Sequence, residues 1–391
     1  MTKLSSILPI HCSSKHSGIG HVFFSLCERW QGQNLATRMV IPSCGFDVKK
    51  APVVEAVPKL LRGICYKKPG LPEQLTEQRF LRDLKDFDAA YLWPGVSLQT
   101  FERTKAYGKP IFLERVNCFT GFAKQILDAA YENLGLVPAH PITPSMVQDE
   151  LAEVALADFI LCPSVAVTNS FRMAGVPARK LITTSEGWDP QRFPQIQPKS
   201  QQSDEFTVLL LGSDSIRKGV PLLLRAWDKA KIKGRLILMG RMAPAIAQLY
   251  GDILSRPDVT HIEFSLDYTA MYQQADVFAL PSLEEGSPLV VYEAMAHRLP
   301  ILASPMGAGG VVRDGVEGMV IAPDAEDQWV EALRTLAANP DLRSQLGSAA
   351  RQQALEYTWD KVAARRAELM LSGLQQNVVY YPTPSILTTA A

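Results

Sequence analysis

Short apolar runs alternate with longer amphipathic stretches along almost the whole chain. That is the pattern of strand–helix units in parallel sheets. In the first half, Leu4–Ile10 reads as a strand, His21–Trp30 as a helix and Ala36–Ile41 as a strand. Strands follow at Ala89–Trp93 and Pro110–Leu113. Phe122–Leu134 and Val147–Leu156 read as helices, Phe159–Leu161 as a strand, Val165–Ala174 as a helix and Lys180–Thr183 as a strand. The segment 195–205, QIQPKSQQSDE, is polar and rich in Pro, Ser and Gln, and reads as a linker. The pattern then restarts. Strands are expected at Phe206–Leu211, Arg235–Met239, Thr260–Glu263, Val277–Leu280 and Pro300–Ala303. Helices are expected at Val220–Lys229, Ala243–Tyr250, Ala270–Gln274, near Pro288, and at Glu326–Ala338, Asp341–Glu356 and Trp359–Leu371. The end from 376 to 391 has no periodicity and reads as a frayed tail. Two doubly wound α/β domains follow from this pattern, and 391 residues suit two cores better than one.

Composition narrows the class. Lys+Arg and Asp+Glu both number 40, so the formal net charge is zero, which argues against a dedicated nucleic-acid binder. No apolar run approaches the roughly 20 residues of a membrane-spanning helix. The start, MTKLSSILPIHCSS, reads as a strand and not as a secretory signal. All six cysteines lie in the first half with no C-x-x-C pair, so free thiols in a reducing cytoplasm are expected. No His/Cys cluster has metal-ligand spacing, so no metal and no cofactor are expected.

The chemistry concentrates in Asp276–Ser304. A buried strand leads to a loop with Glu284, Glu285 and Gly286, then to a helix near Pro288 that carries Glu293. Helix N-termini attract anions through unpaired N–H groups and a positive dipole end. Carboxylates beside such a site suit a ligand with both phosphates and hydroxyls, such as a nucleotide sugar. In LLLGSDSIRKGV, Arg217 and Lys218 sit at a helix start, where the dipole disfavours cations unless an anion lies nearby. In KHSGIGHV, Gly18 and Gly20 allow close backbone approach. Phe23 stands where a dinucleotide fingerprint needs its third Gly. His16 and His21 flank these glycines. In FLERVNCF, Glu114, Arg115 and Asn117 follow a strand end and so face a ligand cleft.

The stretch PSLEEGSPLVVYEAMAHRLP resembles the signature of the retaining glycosyltransferases of family 4, with Arg298 in place of the usual Gly. The resemblance implies a GT-B fold. An acceptor-binding Rossmann-like domain would span 1–194, a linker 195–205 and a nucleotide-sugar domain 206–358, with a helix at 359–375 crossing back. It implies that Glu285 binds the donor sugar hydroxyls and Glu293 the ribose. The N–H groups of Gly286, Ser287, Leu289 and Val290 would contact sugar and diphosphate. Lys218 matches the family's Lys-Gly pair, which grips the diphosphate. Ser213 stands at the usual Arg position, with Arg217 as the replacement cation. The Gly18–Gly20 loop would lie beside the diphosphate. The base would be read largely through backbone around Ile262–Leu266. Relatives carry a His near the reacting carbon. Its absence here leaves Glu114, Asn117 and His16 as acceptor-side candidates. SEGWDPQRF resembles a junction segment of the family, with Trp188 in place of a small apolar residue.

The activity so implied is transfer of a hexose-type sugar from a UDP- or GDP-sugar to an acceptor hydroxyl with retention. The product would be a polysaccharide, lipopolysaccharide or glycolipid. A sugar-nucleotide epimerase, or a binding module without turnover, would use the same fold. The basic run Lys49–Lys68 opens a peripheral contact with the inner membrane face, on an otherwise cytoplasmic enzyme.

Overall fold

The computed structural model describes residues 1–14, 18–31, 34–46, 48, 52–193, 205–265 and 267–375. The linker expected at 195–205, apart from Glu205, and the tail at 376–391 lie outside the described residues, as do His16, Lys49, Lys50 and Leu266. The chain forms two compact units. The first takes in Met1–Thr120, Thr143–Glu186 and the chain from Trp359. The second takes in Gly121–Ile142 and Gly187–Thr358.

Each unit is built on one parallel sheet. The first holds β1 (Thr2–Ile7), β2 (Leu35–Ile41), β3 (Val53–Glu55), β4 (Ala89–Leu92), β5 (Ile111–Glu114), β6 (Phe159–Cys162) and β7 (Leu181–Thr183), in the order β3-β2-β1-β4-β5-β6-β7. The second holds β8 (Phe206–Leu211), β9 (Gly234–Met239), β10 (Val259–Ile262), β11 (Val277–Leu280), β12 (Ile301–Ala303) and β13 (Gly318–Val320), in the order β10-β9-β8-β11-β12-β13. Each sheet therefore has a switch point, between β1 and β4 in one and between β8 and β11 in the other. Ligands bind beyond the C-terminal strand ends at such points.

The strands of the second unit are apolar on both faces, as a covered parallel sheet requires. Val208, Leu210, Leu236, Leu238, Val277 and Ala279 join one core, with Trp227 and Trp329 from the helices Val220–Ala230 and Glu326–Ala338. Their neighbours Leu209, Leu211, Ile237, Met239, Phe278 and Leu280 join the opposite core. Ala130, with Tyr131, Leu134 and Leu136 beside it, packs into the first of these cores, which is why Gly121–Ile142 belongs to the second unit.

The terminal helix Trp359–Leu374 completes the first unit. Trp30 Nε1 donates to Ala363 O at 2.8 Å, and Trp359 Nε1 donates to His21 Nε2 at 3.3 Å. His21 is thus a packed acceptor on the helix Gly18–Cys27. That helix begins at Gly18, so Gly18 and Gly20 form its first turn and not a loop before it.

Most expected strands and helices appear with shifted ends. The helices Leu71–Asp83 and Leu98–Ala106 have no counterpart in the sequence reading. Their buried stripes are thin: the first buries only Pro72, Thr76, Phe80 and Leu81. The edge strands β3 and β13 are three residues each, too short to show alternation. Among the described residues no helix is long and apolar enough to cross a membrane. Five of the six cysteines are buried and none is in a disulfide.

Candidate functional site

The loops after β8 and β11 meet at the switch point of the second sheet. Two glycines allow it. Gly219 caps the helix Val220–Ala230 in the left-handed conformation (φ 71°), and a Cβ there would lie 2.1 Å from Pro281 O. No other residue fits without moving the β11 loop. A Cβ on Gly212 would lie 2.9 Å from Lys218 Cε, so this glycine makes room for the Lys218 stem.

Lys218 is buried and its Nζ donates to Glu285 Oε1. Ser282 Oγ donates to the same oxygen at 2.9 Å. Arg217 Nη1 lies 3.4 Å from Glu285 Oε2 and 3.6 Å from Glu284 Oε2, while its Nε donates to Asp214 at 3.1 Å. Burial alone would push the Glu285 carboxyl up, but Lys218 and Arg217 outweigh it and hold the group below the usual carboxylate range. The structure thus brings Arg217, Lys218 and Glu285 together at the C-terminal strand ends of the second sheet.

Glu293 sits in the middle of the helix Leu289–Ala296 and is also buried. Its Oε1 accepts from Arg192 Nη1 at 2.6 Å and its Oε2 from Tyr272 OH at 2.8 Å. Burial dominates here and raises the Glu293 carboxyl, with Arg192 and Tyr272 offsetting part of the rise. His297 stacks on Tyr272 with ring centroids 4.7 Å apart, and its Nδ1 donates to Glu293 O at 2.7 Å. Burial pulls its pKa down to about 4, so His297 is neutral. The sequence reading did not single out Arg192. Its pairing partner lies 101 positions away, and its only signal was its place beside Phe193 in the junction segment.

Gly286 and Ser287 are buried, and Leu289 and Val290 half-buried, at the start of that helix. Ser287 Oγ shares a 2.6 Å hydrogen bond with Tyr292 OH. The loop after β12 closes over this turn: a Cβ on Gly309 would meet Pro288 Cδ at 2.9 Å. Ser213 is exposed, and its Oγ accepts from the backbone N–H of Arg241 at 3.5 Å. Arg298 takes the left-handed conformation (φ 62°), which explains why a Gly is usual there; the side chain adds about 1 kcal/mol of strain. Trp188 is buried and donates from Nε1 to Ala354 O at 2.7 Å, a packing role.

In the first unit, Glu114 is fully buried. It accepts from Tyr91 OH and from Arg366 Nη1 at 2.8 and 3.0 Å. Its neighbour Arg115 pairs instead with Glu150 and Glu153. Glu114 is therefore held inside a packed network and shows no carboxylate at the surface, while Asn117 is exposed. Gly18 (φ 60°) has open space where a side chain would point, and Gly20 abuts Cys12 Sγ.

Residues 205–339 match the family model of the glycosyl transferases group 1. The chain is 28% identical over 219 residues to a sulfoquinovosyl transferase of Arabidopsis thaliana, covering 52% of this chain and 42% of that protein. It is 35% identical over 105 residues to a D-inositol 3-phosphate glycosyltransferase of Streptomyces coelicolor, covering 27% and 23%. The matches thus span less than half the length of these curated relatives. Among solved structures, sucrose-phosphate synthase from Thermosynechococcus elongatus superposes with a TM-score of 0.70 at 16% identity, covering 96% of this chain and 100% of that one. Anabaena HepE in complex with UDP-glucose superposes at 0.67 and 15%, covering 95% and 100%. The chain therefore has the GT-B fold, and its residues 205–339 match the model of the group 1 glycosyl transferases.

Proposed function

We propose that the chain moves a hexose-type sugar from a nucleoside-diphosphate sugar to an acceptor hydroxyl, with retention at the anomeric carbon. The observation that carries this reading is the convergence of Lys218, Arg217 and Glu285 at the switch point of the matched domain. Lys218 and Arg217 would neutralise the diphosphate as it departs, the point at which charge develops. Glu285 would turn to the sugar hydroxyls, Glu293 to the ribose, and the first N–H groups of the helix Leu289–Ala296 to the phosphate oxygens. The bond from the anomeric carbon to phosphate oxygen breaks, and its electron pair leaves with the diphosphate. The acceptor oxygen bonds to the same face, and its proton passes to the departing phosphate oxygen. The HepE structure with UDP-glucose supports a uridine or related donor.

The test offers UDP-, GDP- and ADP-sugars to the full chain with simple glycoside and lipid-linked acceptors. The product's anomeric configuration is read by NMR. Transfer with retention is the expected result. Inversion overturns the stereochemistry, and donor converted to an epimer without acceptor overturns the transferase itself.

On the acceptor side, the reading uses the first unit. A cavity of about 630 Å³ opens at the C-terminal ends of β2 and β3, lined by Cys44, Glu55, Lys59 and Arg62 among others. Beside it Leu60 is 97% and Ile64 60% exposed. From Ala56 to Pro72 the chain carries Lys59, Arg62, Lys67 and Lys68 and no carboxylate. Aliphatic side chains held out among cations suit an anionic lipid surface, at about 1 kcal/mol per cation. The full chain is expected to sediment with phosphatidylglycerol vesicles and not with phosphatidylcholine vesicles. Leu60→Ser with Ile64→Ser should weaken that binding about tenfold. Equal binding to both vesicle types, or none, sinks the membrane contact.

A further inference from the structure

Glu293 lies on the donor side, but in this structure its carboxylate is already engaged by Arg192. The Arg192 guanidinium lies 5.2 Å from the Phe193 ring and 5.4 Å from the Tyr268 ring as it reaches Glu293, so two aromatic side chains restrict it. Tyr272 holds the other oxygen. An ionised carboxylate has about four lone-pair sites. One donor on each oxygen leaves each with capacity for a hydroxyl.

We propose that Arg192 is a positioning residue for donor binding: it holds the Glu293 carboxylate in place and in charged form, so that it can accept the two ribose hydroxyls. The inference rests on the reading of Glu293 as the ribose anchor given above. Burial opposes the charged form of Glu293, and among the described groups around it Arg192 supplies the favourable charge. Tyr272 contributes a hydrogen bond from the helix Tyr268–Gln274. His297, on the same helix as Glu293, bonds the Glu293 carbonyl and is neutral. Arg351, from the helix Pro340–Ala354, faces His297 and donates to Ala296 O at 3.0 Å. Without Arg192 the carboxyl would take up a proton at higher pH and lose acceptor capacity. A protonated acid in that place would present a donor where the ribose needs an acceptor.

The experiment compares UDP, GDP and ADP with their 2′,3′-dideoxy counterparts by calorimetry on the full chain, from about pH 6 to about pH 9. The difference between the two forms isolates the hydroxyl contact. Wild type is expected to prefer the hydroxylated nucleotide about tenfold or more throughout. In Arg192→Gln that preference should collapse at the acid end and return as pH rises and Glu293 ionises. Arg192→Lys, which keeps a cation, should retain most of it. Dideoxynucleotide affinity should stay unchanged in all three proteins.

If Arg192→Gln keeps the full preference at every pH, or binds either form more tightly, Arg192 does not position Glu293. If dideoxynucleotide affinity collapses with it, the residue is structural. If wild type shows no hydroxyl preference, or binds none of the three nucleotides, the ribose reading of Glu293 itself fails and takes this inference with it. A preference lost in Glu293→Gln but intact in Arg192→Gln removes only the role of Arg192.

Discussion

Replacing Lys218 by Ala is expected to lower turnover by about 100- to 1,000-fold and to weaken donor binding as well. The amino group is a buried point charge at the switch point, reached only because Gly212 leaves room for its stem. Its loss would leave Glu285 with Ser282 and Arg217 in the same buried place, and the carboxyl would drift upward because the burial that opposes its charge remains. Two effects then combine: less compensation for the leaving diphosphate, and a sugar-side carboxylate that is less often ionised. Lys218→Arg should not rescue, since a forked guanidinium is bulkier than an ammonium and Gly212 lies against the stem. Steady-state kinetics of Lys218→Ala, Glu285→Ala and the double variant decide the matter. The two single losses should be strongly non-additive, because each residue depends on the other. An unchanged rate in Lys218→Ala, or losses that simply add, would refute the coupled site.

The second large effect is expected far from Lys218 in sequence, in the first unit. Arg366→Ala should cost about 3–5 kcal/mol of stability. Arg366 is buried. It donates to both oxygens of Glu114, to Ser185 O at 2.7 and 3.1 Å, and to Glu186 at 3.3 Å. Removing it leaves the carboxyl groups of Glu114 and Glu186 buried without the cation that bonds both. Thermal and denaturant unfolding would read the loss, and a change below about 1 kcal/mol would show that the network is no more than a surface-type pair.

The same network sets a pH dependence. Burial raises Glu186, the neighbouring Glu114 adds to the rise, and Arg366 offsets part of it, leaving the group at about 8 against an ordinary 4.5. The folded state therefore holds a proton that the unfolded state releases near its ordinary value. The associated stability is fully present below about 4.5 and is lost as pH rises through about 8. Glu186→Gln should flatten that decline and melt above wild type at alkaline pH.

Much of this was legible in the sequence, for reasons that are local. Apolar runs such as Phe206–Leu211 and Val277–Leu280 announce strands covered on both faces, and the structure gives them those bounds. The stretch from Pro281 to Pro300 packs its candidate residues into nearby positions, so pattern and resemblance together made it stand out. What stayed hidden depends on distant partners. Glu114 looked ready to face a cleft because it ends a strand, but its charge is met by Arg366, 252 positions away. Gly212 and Gly219 carry no signal of what presses against them; only the fold brings Lys218 and Pro281 there. The helix Thr120–Asn133 showed an apolar stripe without saying which core would take it, and Ala130 and its neighbours pack into that of the second unit.

The return of the helix Trp359–Leu374 to the first unit has a consequence for the order of events on the ribosome. Glu114 and Glu186 emerge long before Arg366, with the whole strand set of the second unit synthesised in between. At about 10 residues per second, the first unit waits on the order of 20 s for the cation that neutralises its interior. The charge pairing inside the first unit is thus completed only after the strands of the second have emerged.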